Sequence, residues 1–382
     1  MSASPVMMSG SFKKILAVET SCDDTSVAIV GHDGFVYAIR SADQNLEHEA
    51  FGGIVPEIAS RNHTLNLLPL IDTVLSDAAL SLGEVDGFAV TSRPGLIGSL
   101  MVGLVTVKSL ALATSKPFIG VNHLEGHLLA PFLTDRHYSP PKEFHYPYLA
   151  LAISGGHTSL YRIEALGSYE VLGATLDDAA GEAFDKFGKM VGLGFPGGVR
   201  VDEYSVLGGP NRFTFVRSFM KEEHLNFSFS GMKAAARRTL DELSANLKAQ
   251  LAEDLAYGEP RPGVLADLCA GFQEAIVDVL IDRLFRASEK FGLKRLVLTG
   301  GVSANSRLRA RAAEEASVRG CELVVPPIRY CTDNAAMIGF AGIQRLSAGE
   351  YSEQSLAPQA RAPLGRAPLP HNLPAWLVKA KS

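Results

Sequence analysis

The feature that most constrains this chain is an internal repetition. Lys14-Ile-Leu-Ala-Val-Glu19 is a short apolar strand, residues 20–26 form a polar turn, and residues 27–30 return as a second apolar run. Far downstream, Tyr148-Leu-Ala-Leu-Ala-Ile153, the tight polar turn Ser154-Gly-Gly-His-Thr158 and the run 159–163 repeat that hairpin. A second echo follows each one. The strand 87–91 runs into Arg93-Pro-Gly-Leu-Ile-Gly98, an apolar helix to about Thr114, a strand at 117–122 and another helix. The strand 295–299 runs into Gly300-Gly-Val-Ser-Ala-Asn305, a helix at 306–319, a strand at 322–326 and a helix at 333–346. Strand, glycine loop, helix, strand and helix thus recur in each half, an α/β layout.

A hairpin-led α/β half used twice is the layout of the actin, sugar kinase and Hsp70 (ASKHA) superfold, with nucleotide and metal expected in the cleft between halves. Such a fold does not fix the chemistry. A chain of 382 residues exceeds what a single core usually supports, which agrees with duplication. The expected organisation is a flexible extension over 1–12, a first half over 13–146 completed by about 322–346, and a second half over 147–321 with helical insertions. A Pro/Ala/Arg-rich tail over 352–382 is expected to pack poorly. The helical patterns at 63–79, 231–247 and 264–291 are read as core-covering helices without chemistry.

Composition narrows the class further. Apolar residues at 47% and charged residues at 20% exclude a chain disordered throughout. The net charge of −5 argues against a uniformly basic nucleic-acid surface and leaves room for a local basic strip. Cys22, Cys269, Cys321 and Cys331 are scattered without a C-x-x-C pair, which fits reduced thiols in a cytoplasm. No targeting signal is read in residues 1–14 and no run is read as membrane-spanning, so a cytoplasmic protein without a membrane partner is expected.

The sharpest chemical signal is His123-Leu-Glu-Gly-His127, which follows a strand and opens a helix. Spacing of four residues puts both imidazoles on one face, within reach of one ion. At the corresponding junction of the other half stands Thr332-Asp333-Asn334, and pseudo-symmetry would bring Asp333 opposite the histidines. Two imidazoles and one carboxylate suit Fe(II), Zn or Mn with coordination positions left open. The bland alternative is a pair of capping histidines. A zincin protease would carry its base directly after the first histidine, whereas here Leu124 stands there and Glu125 lies about 100° further round.

Other motifs point to an anion. The Ser154–Thr158 turn offers backbone N–H groups unshielded at Gly155 and Gly156, and Gly300 to Asn305 offers a second glycine loop, with Asn305 placed for ribose or base contacts. Thr175-Leu-Asp-Asp-Ala-Ala-Gly-Glu-Ala-Phe-Asp-Lys186 reads as a helical stretch with Asp178, Glu182 and Asp185 on one face. On the bland reading, Asp177 and Asp178 are first-turn acids of that helix. Gly194-Phe-Pro-Gly-Gly198 and Asp202 follow as a second ligand-facing loop.

Taken in order, Glu19-Thr-Ser-Cys-Asp-Asp-Thr25, the 123–127 and 154–158 motifs, Asp177 to Lys186, Phe227-Ser-Phe-Ser-Gly231, Gly300 to Asn305 and Cys331-Thr-Asp-Asn334 resemble the tRNA threonylcarbamoyl-adenosine transferase family over about residues 13–346. The resemblance implies an acyltransferase that moves threonylcarbamoyl from its adenylate, threonylcarbamoyl-AMP, to the adenosine just 3′ of the tRNA anticodon. It implies His123, His127 and Asp333 as ligands of one divalent metal per subunit, Fe(II) or else Zn(II). It also implies an adenylate site of Ala152, Ile153, Ser154, Gly155, Gly156, Asp185, Gly198, Asp202 and Asn305. Implied partners are tRNA, a paralogous inactive subunit and a small P-loop ATPase. Met232 and Ala234 depart mildly from the expected Leu and Thr.

The donor already carries a good leaving group, so orientation and charge stabilisation suffice and no covalent Ser or Cys nucleophile, Cys22 included, is expected. Candidate phosphate contacts are Lys233, Arg237 and Arg238 on one helix and Arg307, Arg309 and Arg311 on another, with solvated helix faces expected for at least half of them. The rival readings are a small-molecule kinase and a nucleotide-binding switch of the same superfold.

Overall fold

The structure, a computed structural model, describes residues 12–364, so the expected N-terminal extension, Phe12 excepted, and the tail beyond residue 364 lie outside the described residues. The chain divides into two compact units. The first contains the segment ending at Gln44, Val55–Pro140 and Asp333–Ala362; the second contains Asn45–Ile54 and Pro141–Thr332.

Each unit is built on one five-stranded sheet. In the first, β1 (Lys14–Glu19), β2 (Thr25–Gly31), β3 (Val36–Ala42), β4 (Gly87–Arg93) and β5 (Phe118–Asn122) lie in the order β3-β2-β1-β4-β5. In the second, β6 (Tyr148–Ile153), β7 (Thr158–Ala165), β8 (Ser168–Ala174), β9 (Arg295–Thr299) and β10 (Glu322–Val324) lie in the order β10-β9-β6-β7-β8. Replacing β1 by β6, β2 by β7 and so on maps one order onto the other. The pairings match as well, with antiparallel hairpins β1–β2–β3 and β6–β7–β8 and parallel neighbours β4–β5 and β9–β10. The third strand of each hairpin set escaped the sequence reading. Residues of β3 alternate between buried and exposed and include Arg40 and Ser41, so no continuous apolar run announced it.

In the first unit the strand period of two divides the core. Leu16, Val18, Val27, Ile29, Phe88 and Val90 pack with Leu67, Ile71, Leu104, Val107 and Ala111 from the helices Pro56–Asp77 and Ile97–Thr114. Burying each such aliphatic side chain is worth about 1.5–3 kcal/mol. The opposite face, through Ala17, Val30 and Ala89, receives the helix Ala335–Ser347. That helix presents Gly339 and Gly342 to the sheet. A Cβ at Gly339 would come within 2.6 Å of Val30 Cγ2, and one at Gly342 within 2.4 Å of the Ala89 Cβ. The stretch 322–346, expected to complete the first half, is divided: β10 and the residues to Thr332 belong to the second unit, while this helix and Asp333 just before it belong to the first.

Three further readings are corrected. The helix Ile97–Thr114 is long and apolar enough to cross a membrane, contrary to the expectation that no run would be. Leu100, Leu104, Val107 and Ala111 bury one of its faces, while Ile97, Met101, Val105 and Leu112 are exposed on the other. The single helical pattern at 231–247 is two helices, Ser230–Glu242 and Ala245–Tyr257, the second capped by Ser244, whose side chain accepts from Leu247 N at 3.3 Å. The tail is also packed as far as Ala362. Ser352 N donates to Phe118 O at 2.8 Å and Gly120 N to Ser352 Oγ at 3.0 Å. Lys108 Nζ reaches Gln354 O at 2.8 Å, and Leu356 joins the core. These contacts cover the free edge of β5, where unpaired backbone groups would otherwise be exposed.

Candidate functional site

The first unit concentrates charged side chains at the ends of its strands. The helix His123–Leu129 starts directly after β5 because Asn122 caps it: Oδ1 accepts from Leu124 N at 2.9 Å, while Nδ2 donates to Ala362 O at 3.0 Å. His123 and His127 lie one turn apart with ring centroids 4.7 Å from each other. Asp333 sits just before Asn334, whose side chain caps Ala335–Ser347 by accepting from Met337 N at 3.0 Å. As expected from the sequence, the three converge: His123 Nε2 is 3.3 Å and His127 Nε2 3.1 Å from the same Asp333 Oδ1. One donor atom from each lies within 4.8 Å of the others.

Two contacts hold the helices His123–Leu129 and Ala335–Ser347 in register. Gly126 lets them approach, since a Cβ there would meet Ile338 Cδ1 at 2.9 Å and Met337 Cγ at 3.0 Å. Beside it, Arg345 grips the buried Glu125 carboxylate from Nε at 3.0 and 2.9 Å and from Nη2 at 2.6 Å. Glu125 is therefore occupied by a fork-like ion pair, in keeping with the argument against a protease base.

The electrostatics of this site favour a cation. Burial opposes ionisation of Asp333, yet His123 and His127 hold its carboxyl well below the ordinary value. Burial likewise opposes protonation of His123, but Asp333 and Glu19 push its pKa well above that of a free imidazole. Burial, with the neighbouring His123 charge, lowers His127 despite its bond to Asp333. The buried Glu19 and the partly exposed Asp333 thus flank one imidazole pair. Histidine nitrogens and a carboxylate oxygen are the donor set expected of a divalent transition metal.

At the tip between β1 and β2, burial and the neighbouring Asp333, Asp23, Asp43 and Glu19 raise Asp24 to about 8. Burial, with Asp23 and Asp333, pushes the Cys22 thiol well above its usual range, which makes it a poor nucleophile at neutral pH. The sequence reading missed Glu19, fully buried at the end of β1 and in contact with His123. An acid closing an otherwise apolar buried strand was the available signal.

The second unit gathers the residues expected to hold the adenylate. Ala152 and Ile153 end β6, and the turn after them is closed by Ser154 N to His157 O at 2.7 Å and His157 N to Ser154 Oγ at 3.2 Å. Gly155 and Gly156 are exposed, a Cβ at either would meet nothing within 4 Å, and among the described residues no acceptor takes their N–H groups. Two glycines bring neighbouring elements against this turn. A Cβ at Gly181 would lie 2.7 Å from Ser154 O, and Gly300, at φ +87°, passes so close to Ile153 that a Cβ would lie 2.4 Å from its carbonyl oxygen.

The polar side chains of the set also have structural work. Asp185 accepts from Gly197 N at 2.9 Å and Gly198 N at 3.3 Å. Asp202 accepts from Ser306 N at 2.9 Å and Ser306 Oγ at 2.7 Å, and Asn305 caps Ser306–Arg319 through Leu308 N while its Nδ2 donates to Gln273 Oε1 at 2.6 Å. The acidic stretch is corrected in part. The helix is Ala180–Val191, so Asp177 and Asp178 precede it. Asp177 serves another helix, accepting from Phe229 N at 2.8 Å and Ser230 Oγ at 2.7 Å. Lys186 ties Asp178 to Glu182, each at 2.8 Å, in place of a shared acidic face.

Comparison with known proteins gives a consistent result. The family model described as TsaD, tRNA N6-adenosine threonylcarbamoyltransferase, matches residues 36–340. A relative of that description from Bdellovibrio bacteriovorus is 57% identical over 350 residues, covering 92% of this chain and 98% of its own length. Another, from Anaeromyxobacter dehalogenans, is 46% identical over 338 residues, covering 88% and 95%. Among solved structures, full-length HypF in its phosphate- and nucleotide-bound form superposes with a TM-score of 0.54 at 13% identity, over 87% of this chain and 46% of HypF. That likeness concerns the fold alone and agrees with the duplicated ASKHA architecture.

Proposed function

This chain belongs to the tRNA N6-adenosine threonylcarbamoyltransferase family and is a tRNA-modifying transferase, and we propose that its two residue clusters divide the reaction between them. Threonylcarbamoyl leaves threonylcarbamoyl-AMP for the exocyclic amine of the adenosine 3′-adjacent to the anticodon, in tRNAs reading codons that begin with adenine. The new bond joins that nitrogen to the carbamoyl carbon, the carbon–phosphate oxygen bond breaks, and AMP departs as the amine gives up a proton. The family match leaves the kinase and switch readings without support.

In this reading the Gly155 and Gly156 N–H groups hold the phosphate of the adenylate, with Ala152, Ile153, Ser154, Asp185, Gly198, Asp202 and Asn305 around it. The observation that carries the other half is the convergence of His123 and His127 Nε2 on Asp333 Oδ1. These three would hold the divalent metal, Fe(II) or else Zn(II), both of which accept imidazole and carboxylate donors. A metal so bound supplies Lewis acidity toward a carbonyl oxygen. The raised Cys22 thiol supports direct transfer without a covalent enzyme intermediate.

Partners follow from the surfaces. Lys233, Arg237 and Arg238 are exposed on Ser230–Glu242 and are offered as tRNA phosphate contacts. Arg307 is committed to Glu274 at 2.6 Å and Arg309 to Ser303 O at 2.6 Å, which withdraws them from that role. The exposed apolar face of Ile97, Met101, Val105 and Leu112 suits a paralogous subunit, and a P-loop ATPase completes the proposed assembly. A cytoplasmic setting fits four free cysteines. The test is transfer of labelled threonylcarbamoyl from its adenylate to unmodified tRNA with these partners present. Labelled threonylcarbamoyladenosine is the expected product; no label in tRNA would overturn the reading.

A further inference from the structure

Glu19 ends the central strand β1 with no exposed surface. A carboxylate in such a place normally needs a cationic partner or several hydrogen bonds. Among the described residues no lysine or arginine pairs with it. Its donors are Ser21 N, at 2.5 Å from Oε1, and the Thr91 hydroxyl, which donates to Oε2. The remaining contact is His123 Nδ1, 3.1 Å from Oε2. An ionised carboxylate only accepts, so the close approach requires a proton on Nδ1. By the same rule Nε2, which faces Asp333 at 3.3 Å, carries a proton in the metal-free protein; a cation bound there would take that proton's place and leave Nδ1–H on Glu19.

We propose that Glu19 is the positioning residue of the metal centre: it fixes the Nδ1–H tautomer and ring orientation of His123, and Thr91 in turn fixes Glu19. A histidine that ligates through one nitrogen and gives the other N–H to a carboxylate is held in the ligating orientation and made more basic. The competing partner on the page is Ser21 Oγ, 3.2 Å from the same Nδ1. A hydroxyl can either donate or accept, so it does not select a tautomer, whereas the carboxylate does.

The inference rests on the metal reading given above, and the experiment separates the two. Zn(II) is titrated into the full chain against a chromophoric chelator, for wild type, Glu19→Ala, Glu19→Gln, Thr91→Val and Ser21→Ala. Zn(II) affinity is expected to fall about 10–100-fold in Glu19→Ala, the usual cost of losing such a carboxylate. Glu19→Gln, which keeps an acceptor oxygen without the charge, should lose less, and Thr91→Val less again. The ring ¹⁵N shifts of His123 in the Zn(II)-loaded protein should show Nδ1–H in wild type and a mixed signal in Glu19→Gln, a change that a purely structural role would not produce. Wild type that binds no Zn(II) overturns the metal reading itself. Glu19→Ala or Glu19→Gln with wild-type affinity and an unchanged His123 tautomer overturns this proposal alone, as does loss confined to Ser21→Ala. Should Glu19→Ala fail to fold, Glu19→Gln and Thr91→Val still decide.

Discussion

In the first unit, β1 and β2 meet at a tip of Ser21, Cys22, Asp23 and Asp24, and β5, two strands from β1, leads into a helix carrying two buried histidines. In the second, the equivalent β6 and β7 meet at Ser154, Gly155, Gly156 and His157, where side chains are small and backbone N–H groups are bare. One strand order thus carries two kinds of tip. The first gathers ionisable side chains in a costly buried setting; the second presents backbone N–H groups that glycine leaves open to solvent. In the first unit Glu19 and Asp333 face the histidine pair, whereas in the second Asp185 and Asp202 tie loops and helix starts together.

The contrast can be broken at its strongest point by His127→Ala. At least about a 100-fold loss of Zn(II) affinity is expected, because one of three donors disappears, while binding of the adenylate donor to the second unit stays within about twofold. Titration of metal and of a non-hydrolysable adenylate on the same preparation measures both, and a parallel loss of the two would show that the clusters are not separable. Gly155→Val tests the other side. The position has room for a side chain, so stability should change by no more than about 0.5 kcal/mol. Adenylate affinity should fall about tenfold as the side chain holds the anion away from the N–H groups, with metal content unaltered. Unchanged adenylate affinity would remove the turn from the site.

The smallest effect concerns the energetic cost of buried acids in the first unit. Asp24 has a folded-state pKa raised from 3.8 to about 8, so the folded chain binds that proton more tightly than the unfolded one. The associated stability is fully present below pH 3.8 and is lost as pH rises through about 8. In metal-free protein, Asp24→Asn should therefore flatten the decline of stability between pH 5 and 8 by about 1 kcal/mol or more, read as a Tm difference of roughly 2–4 °C. Parallel Tm curves for the two proteins would mean that Asp24 ionises without cost.

The strands with continuous apolar runs, β1, β6 and β9, were legible to the residue because burial on both faces leaves no polar alternation to blur their ends. The helix Val264–Phe291 was equally clear. Half-exposed β3 was not, and Ser244 was overlooked as the cap that splits a helical pattern in two. Among site residues, the histidine pair was readable from its spacing, since one helical turn is a local property. Glu19 was visible only as a letter in a motif, because its role depends on Thr91 and His123, both far away in sequence.

By itself, then, the sequence determined the duplication, the strand–turn–strand tips and the candidate donors His123, His127 and Asp333, all of which follow from short-range periodicity and residue chemistry. The tertiary structure decided where the stretch 322–346 divides, because β10 pairs with β9 while Gly339 and Gly342 fit the helix Ala335–Ser347 against β1, β2 and β4. It also decided that residues 352–362 close the β5 edge and that Arg345 locks Glu125 beside the ligand helix. These are contacts between segments hundreds of residues apart, and no local pattern encodes the close packing and hydrogen-bond pairing that select them.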